Sequence, residues 1–383
     1  MEVTMPMKET QITQETPYLL LDIKKLDANI ARMQTHLAKL NVQLRPHVKT
    51  NKSAQVASRF FDGAEKPITV STLHEADFFA QYGFTDILYG VAIAPNKFEH
   101  VKKLILAGTA LKLILDNLQT AKLLLDFASR HHLPVNVLLE IDSDGHRSGL
   151  PPCDAEIEAI AQLLQGSLVT ICGVMTHAGN SYNSKSIAEI EQYANQERDA
   201  VVSSADMLRS LGVNVSIVSV GSTPTALFSQ DLTGVTEVRA GVFAFFDLVM
   251  AGLGVCELND IALSVVTTVI GHQKDKGWII TDAGWMALSR DRGTANQKVD
   301  QGYGIVCDLQ GNPIGDLIVT AANQEHGIIS SRSQGHVEHF PVGTQLRILP
   351  NHACSTAAQY GGYHLLNLEN DATPYWERIN GWA

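Results

Sequence analysis

The chain has 383 residues, 45% of them hydrophobic, and 40 acidic against 29 basic side chains give it a formal net charge of −11. That length and apolar fraction suffice for a large domain plus a smaller one, each with its own core, and exclude a disordered or fibrous protein. With no basic block to offset the acidic balance, general affinity for nucleic acid or anionic membrane is excluded as well.

Residues 1–16 mix Glu, Lys, Gln and Thr and lack the apolar stretch of a secretory signal or anchor. Apolar runs elsewhere, such as residues 261–270, are too short and too interrupted by Thr and Ser to cross a bilayer. A cytoplasmic location is therefore expected. The cysteines, Cys153, Cys172, Cys256, Cys307 and Cys354, are odd in number and scattered, which fits reduced thiols better than a disulfide framework.

From residue 19 to residue 253, short β-branched or Leu-rich runs alternate with longer amphipathic stretches, the rhythm of β/α units on a parallel sheet. The strand-like runs fall at 19–22, 44–49, 68–71, 86–89, 111–116, 135–142, 169–176, 216–220 and 237–239. Helical spacing marks 28–40, 73–82, 97–107, 118–131, 155–165 and 187–211, with Asn117 placed to cap the helix that opens at Leu118. This predicts an α/β fold, a (β/α)8 TIM barrel over residues 17–256, whose functional groups gather at the carboxyl ends of the strands. After residue 256 the segments 263–270, 277–282, 317–321 and 346–349 read as strands separated by Gly, Asn, Asp and Pro turns. A second, mainly β domain is expected over 257–383, with 1–16 adding to it.

Five segments carry candidate chemistry. In Leu44-Arg45-Pro46-His47-Val48-Lys49-Thr50, a lysine ends an early barrel strand. Desolvated and near other cations, such an amine has a lowered pKa and can form a Schiff base; the competing reading is an ordinary solvated lysine. In Asp142-Ser143-Asp144-Gly145-His146-Arg147-Ser148-Gly149 a Gly-bounded loop presents Arg147, which suits an anionic oxygen or a salt bridge to Asp142 or Asp144. Thr176-His177-Ala178-Gly179-Asn180-Ser181-Tyr182 is another strand end rich in small polar groups. Gly221-Ser222-Thr223-Pro224-Thr225 and Arg239-Ala240-Gly241-Val242 offer backbone N–H groups to a phosphate, although the same residues also build ordinary turns. In Pro350-Asn351-His352-Ala353-Cys354, a continuing strand would put His352 and Cys354 on one face, an imidazole and a thiolate suited to zinc; the alternative is an inert buried thiol beside a histidine. Asn323-Gln324-Glu325-His326-Gly327 is a further polar cluster that either supplies a ligand or acid or fills a turn.

Taken in order, these motifs resemble the D-serine dehydratase, D-threo-3-hydroxyaspartate dehydratase and D-threonine aldolase family of alanine-racemase-fold enzymes, over a match from about residue 16 to the carboxyl terminus. The resemblance implies pyridoxal 5'-phosphate on Lys49, with Arg147 at its ring 3-oxygen and Tyr182 near its pyridine nitrogen. It implies a phosphate cup of Ser222, Thr223, Gly241 and Val242, and a zinc ion on His352 and Cys354. It also implies a head-to-tail homodimer in which the β domain of one subunit closes the barrel mouth of the other. The His-x-Cys pair resembles the dehydratases more than the aldolases. Lys49 would then remove the Cα proton of a D-β-hydroxy amino acid, and the metal would assist departure of the β-hydroxyl, leaving a 2-oxo acid and ammonia. The rival reactions are a metal-dependent aldolase cleavage of D-threonine to glycine and an aldehyde, and, outside catalysis, a cofactor carrier. The similarity leans toward D-threo-3-hydroxyaspartate over D-serine, with His47, Arg290 and Arg292 available for a second carboxylate.

Overall fold

A computed structural model describes residues 14–333, 340–368 and 374–382. The strands in its first half are β1 (Tyr18–Asp22), β2 (Gln43–Leu44), β3 (Ile68–Val70), β4 (Asp86–Ala92), β5 (Ala110–Leu115), β6 (Val135–Ile141), β7 (Val169–Thr176), β8 (Ile217–Val220) and β9 (Glu237–Val238). Those that follow are β10 (Leu263–Gln273), β11 (Trp278–Thr281), β12 (Gly304–Cys307), β13 (Pro313–Ala322), β14 (Gly327–Ser331), β15 (Gln345–Pro350), β16 (Gly362–Leu366) and β17 (Tyr375–Glu377).

Strands β2 to β9 make an eight-stranded parallel sheet in the order β2-β9-β8-β7-β6-β5-β4-β3. A parallel bridge between His47 and Thr69 joins its two edges and closes the barrel. Helices Leu73–Gln81, Phe98–Leu106, Leu118–His131, Ala155–Leu164 and Ile187–Ser210 cover the outside, each turning an apolar stripe inward. Asn117 caps its helix as expected, its side chain accepting from Thr120 N at 2.7 Å.

The run 19–22 is not a barrel strand. It forms β1, which pairs antiparallel with β10 and parallel with β16 in the second sheet. Every residue of β1 is buried, and a run buried on both faces reads the same in either sheet. Asp22 ends the strand and at once caps helix Ile23–Lys39, accepting from Lys24 N and Lys25 N, so that helix begins five residues before the sequence periodicity suggests.

The second sheet has nine strands in the order β11-β14-β13-β12-β15-β10-β1-β16-β17. The long strand β10 pairs with β15 along its first half and, past an irregularity between Val269 and Gly271, with β11, which curls six of the strands into a small closed barrel. Thr16 joins this sheet's surroundings through Asp282 Oδ2, at 2.6 Å, while residues 1–13, also expected to add to the β domain, lie outside the described residues.

The inside of the (β/α)8 barrel is divided. Leu88, Ile114, Leu138 and Met175 fill one part with hydrocarbon. The other part holds a chain of compensated charges: Arg45 Nε donates to Glu237 Oε2 at 2.8 Å, Arg45 Nη1 to Asp86 Oδ1 at 2.9 Å, and Ser219 Oγ to Glu237 Oε1 at 2.7 Å. Arg239, buried on the same side of its strand as Glu237, donates to Ser219 Oγ and to Thr176 O, both at 2.5 Å. The network carries a fixed guanidinium up to the floor of the cavity described next.

Candidate active site

The lysine segment extends β2 beyond its ladder. Arg45 N and His47 N donate to Val238 O and Ala240 O at 2.9 and 2.8 Å, while Pro46, which has no N–H, accepts from Thr69 N at 2.9 Å. The chain then turns, with Asn51 N and Lys52 N both donating to Val48 O, at 3.1 and 2.8 Å, and Lys49 sits on the corner at the carboxyl end of the strand. It projects into a cavity of about 420 Å³, within the range of small-ligand sites. The residues that the resemblance assigns to cofactor and metal all line that cavity: Lys49, Arg147, Tyr182, Ser222, Thr223, Gly241, Val242, His352 and Cys354.

Lys49 is exposed where it lines the open cavity, yet the protein packed around its amine lowers its pKa by desolvation; Arg147 and Arg239 push in the same direction, against Cys354 and Glu75. His177 donates from Nδ1 to Gly221 O at 2.6 Å, and burial with the nearby Lys49, Arg147 and Arg239 lowers its pKa to about 3. His47 is likewise held neutral by burial, Lys49 and Arg239. Both imidazoles on this rim of the cavity are thereby kept unprotonated.

Arg147 lies at the tip of its loop, 3.9 Å from Glu140 Oε1. Neither expected acid is its partner: Asp142 Oδ1 accepts from Gly145 N at 2.8 Å to close the loop, and Asp144 Oδ2 accepts from Asn180 N at 2.8 Å. Ser222 caps helix Thr223–Phe228 through a capping box with Thr225. Gly221 has φ +150°, and a Cβ on it would fall 1.9 Å from Arg239 O; one on Gly241 would fall 2.6 Å from His47 O. The two glycines thus let three strand ends close on one another around the lysine. The hydroxyl of Tyr182 stands 3.5 Å from Thr223 N, which puts it beside the cup.

Facing the lysine, β15 ends at Pro350, and Ala353–Ala357 is a short helix with His352 as its cap. The strand alternation expected to align His352 with Cys354 is therefore absent; the turn into the helix brings the two side chains into hydrogen-bond contact instead. His352 Nδ1 donates to Asp291 Oδ2 at 2.6 Å, and Ser355 Oγ donates to the same oxygen at 2.9 Å. Burial disfavours a charged imidazole here, but Cys354 and Asp291 outweigh it and push His352 up to about 11. Asp247, fully buried, accepts from Ala353 N at 2.9 Å and ties this helix to the barrel. The thiol of Cys354 donates to Thr50 Oγ1 at 3.3 Å, so the pair sits against the residue next to Lys49.

Sequence reasoning missed Asp291, Asp247 and Glu197. Glu197 is buried in helix Ile187–Ser210 and accepts from Ala178 N, Gly221 N and Thr225 Oγ1 at 3.0, 2.9 and 2.7 Å, joining two loops of the cavity. Its one signal is a carboxylate on the mainly apolar face of that helix. Asp291 is 61 residues from His352 and carries no signal. The polar cluster 323–327 is the turn between β13 and β14 and lies away from the cavity. Arg290 stacks on Trp285 and Arg292 pairs with Asp300, and neither lines the cavity.

Residues 21–249 match the family model "Alanine racemase, N-terminal domain", and residues 262–366 match "Putative serine dehydratase domain". The chain is 48% identical to D-threo-3-hydroxyaspartate dehydratase of Delftia sp. (strain HT23) over 98% of its own length and 100% of that protein. The solved structure of that enzyme covers 97% of this chain, with 99% of its own covered, at a TM-score of 0.94. The chain belongs to the D-serine dehydratase-like family of the alanine racemase fold. Within this family it is 31% identical to the D-serine dehydratase of Dictyostelium discoideum, over 93% of this chain and 94% of that one. Its identity to the D-threonine aldolase of Arthrobacter sp is 26%, over 91% and 88%. One solved family structure is a cysteine-to-alanine variant of D-threo-3-hydroxyaspartate dehydratase in the metal-free form, with 47% identity, a TM-score of 0.94, and 98% and 100% covered.

The family's fold brings the two groups of candidate residues together in one chain. Among the described residues no group of three or more His, Cys, Asp or Glu is placed to hold an ion. The pair nonetheless fits a metal whose other positions go to water or substrate: Asp291 takes Nδ1 of His352, so Nε2 and the sulfur of Cys354 face each other as the two donors that would hold the ion.

Proposed function

We propose that this chain is a pyridoxal-phosphate- and divalent-metal-dependent D-amino acid dehydratase, a carbon–oxygen lyase that removes water from D-threo-3-hydroxyaspartate or D-serine to give a 2-oxo acid and ammonia. The observation that carries the reading is the convergence of Lys49 and the His352–Cys354 pair on one cavity of about 420 Å³. The much closer kinship to dehydratases than to aldolases supports elimination over cleavage of the carbon skeleton.

When bound, the cofactor supplies an electron sink for charge at Cα, and the metal, zinc by its donor set, supplies a Lewis acid for the β-oxygen. The chain's own residues divide the remaining work. Lys49, kept short of its usual basicity, takes the proton from the substrate's Cα at Nζ. Arg147 offers a guanidinium to an anionic oxygen at the cavity mouth. Ser222, Thr223, Gly241 and Val242 receive the phosphate, and Tyr182 closes the cup from the side of Thr223. His352 and Cys354 hold the metal, oriented by Asp291.

A head-to-tail homodimer and a cytoplasmic location complete the reading. The homodimer rests on the family resemblance, and the five free cysteines fit the reducing compartment of the expected location. No helix of the described residues is long and apolar enough to cross a membrane.

Product analysis tests the proposal. Purified protein given D-threo-3-hydroxyaspartate, D-serine and D-threonine, with and without chelator, should release ammonia and a 2-oxo acid in a chelator-sensitive way. Glycine and an aldehyde as the main products would establish the aldolase instead.

A further inference from the structure

We propose that Lys52 and Glu75, locked in place by residues 379–382, are positioning residues that set the turn on which Lys49 stands. The proposal deepens the reading of Lys49 as the catalytic amine and rests on it.

Lys52 lies three residues beyond Lys49, yet its side chain is only 8% exposed and points away from the cavity, and Glu75 is fully buried. The two are paired at 3.2 Å. An ammonium group buried to this degree needs further partners, and the end of the chain supplies them. Lys52 Nζ donates to Asn380 O, and its ammonium lies 4.6 Å from the ring centre of Trp382. Ile379 N donates to Lys52 O at 3.0 Å, and Tyr363 in β16 donates to Asn51 O at 2.5 Å. Glu75 is anchored in turn through Ser71 N, at 2.8 Å, in the segment after β3.

The geometry shows what this arrangement controls. The turn at residues 48–52 is held at two ends. Its Val48 end is bonded to Thr69 in β3, with Val48 N donating to Thr69 O at 2.9 Å. Its Lys52 end, where φ is +47°, is held by Tyr363, Ile379, Asn380 and Glu75. Between them, among the described residues, the hydrogen bond of Lys49 itself is a long one, from its N to His47 Nδ1 at 3.4 Å. The place of its amine is therefore inherited from the two ends of the turn. Gly381 makes the closure possible: its φ is +86°, and a Cβ there would fall 2.8 Å from Glu75 Oε1 and 3.1 Å from Lys52 Nζ. Neither Lys52 nor Glu75 lines the cavity, so both act through Lys49.

The test compares holoenzyme variants Lys52→Met, Gly381→Val, Lys52→Arg and the milder Trp382→Ala by hydrogen exchange, thermal melting and steady-state kinetics. In Lys52→Met and Gly381→Val, the amides of Asn51 and Lys52 should exchange about 10-fold faster, because a few bonds rather than the whole fold are lost. A displaced amine should lower kcat by about 10-fold or more while KM changes by less than about threefold. Lys52→Arg, which keeps the charge, should recover most of both effects, and Trp382→Ala should shift both slightly in the same direction.

Unchanged exchange in this turn would overturn the proposal. So would a rise spread through the barrel in step with a fall in Tm, or faster local exchange with kcat intact. Because exchange does not depend on which lysine holds the cofactor, an error in the assignment of Lys49 would appear separately, as a borohydride adduct on a different lysine.

Discussion

Two histidines look into the same cavity from opposite walls and are driven in opposite directions. On the barrel rim, burial and the cations Lys49, Arg147 and Arg239 bring His177 down to about 3. On the β-sheet rim, burial works against the charged form of His352, but Cys354 and Asp291 override it and carry the group up to about 11. One wall sheds protons and the other gathers positive charge. The proposed function asks for a lysine that accepts a proton and a pair that holds a metal, two tasks that favour these opposite fields.

The largest expected effect strikes the proton-shedding wall. Lys49→Ala removes the proposed base, and 2-oxo acid production should fall by about 10³-fold. On the other wall, His352→Ala or Cys354→Ala should lower turnover by about 10²-fold or more through loss of the metal's pull on the β-oxygen. These variants should keep the cofactor absorbance, whereas a Cys354 variant that lost cofactor would break the division of labour. Asp291→Asn leaves both proposed ligands in place but loosens the imidazole, and metal titration should show binding weakened about 10- to 100-fold.

The His177 contrast also predicts a pH dependence of stability. Its folded pKa, about 3, lies below its ordinary 6.5, so between those values the unfolded chain binds a proton that the fold refuses. The penalty is absent above pH 6.5 and grows as the pH falls toward 3. Denaturation midpoints at pH 7 and pH 4.5 should therefore draw apart less in His177→Gln than in the unaltered protein. The smallest effect is expected from Tyr182→Phe, whose contact with Thr223 N is a long 3.5 Å; cofactor affinity should weaken by only about threefold.

The two walls were unequally legible in the sequence. Barrel helices such as Leu118–His131 declared themselves through 3.6-residue periodicity and an Asn cap, and the residues lining the barrel rim fell at strand ends, where a (β/α)8 fold puts them. The β-sheet wall was harder. Strands β12, β14, β16 and β17 are three to five residues long, and β12, β14 and β16 each take one of their two neighbours from a distant segment, so local pattern carries little of them. His352 and Cys354 were identified as residues, but the expected strand geometry was replaced by a helix start. Asp291 and Glu75 escaped because their roles exist only once the chain has closed, against His352 and Lys52 respectively.

A crystal structure of the borohydride-reduced, metal-loaded protein, with diffraction recorded at the metal's absorption edge, tests the central claim most directly. A pyridoxyl adduct is expected on Lys49, with an anomalous peak bonded to His352 Nε2 and Cys354 Sγ across the same cavity. An adduct on another lysine, or a metal held elsewhere, would contradict it.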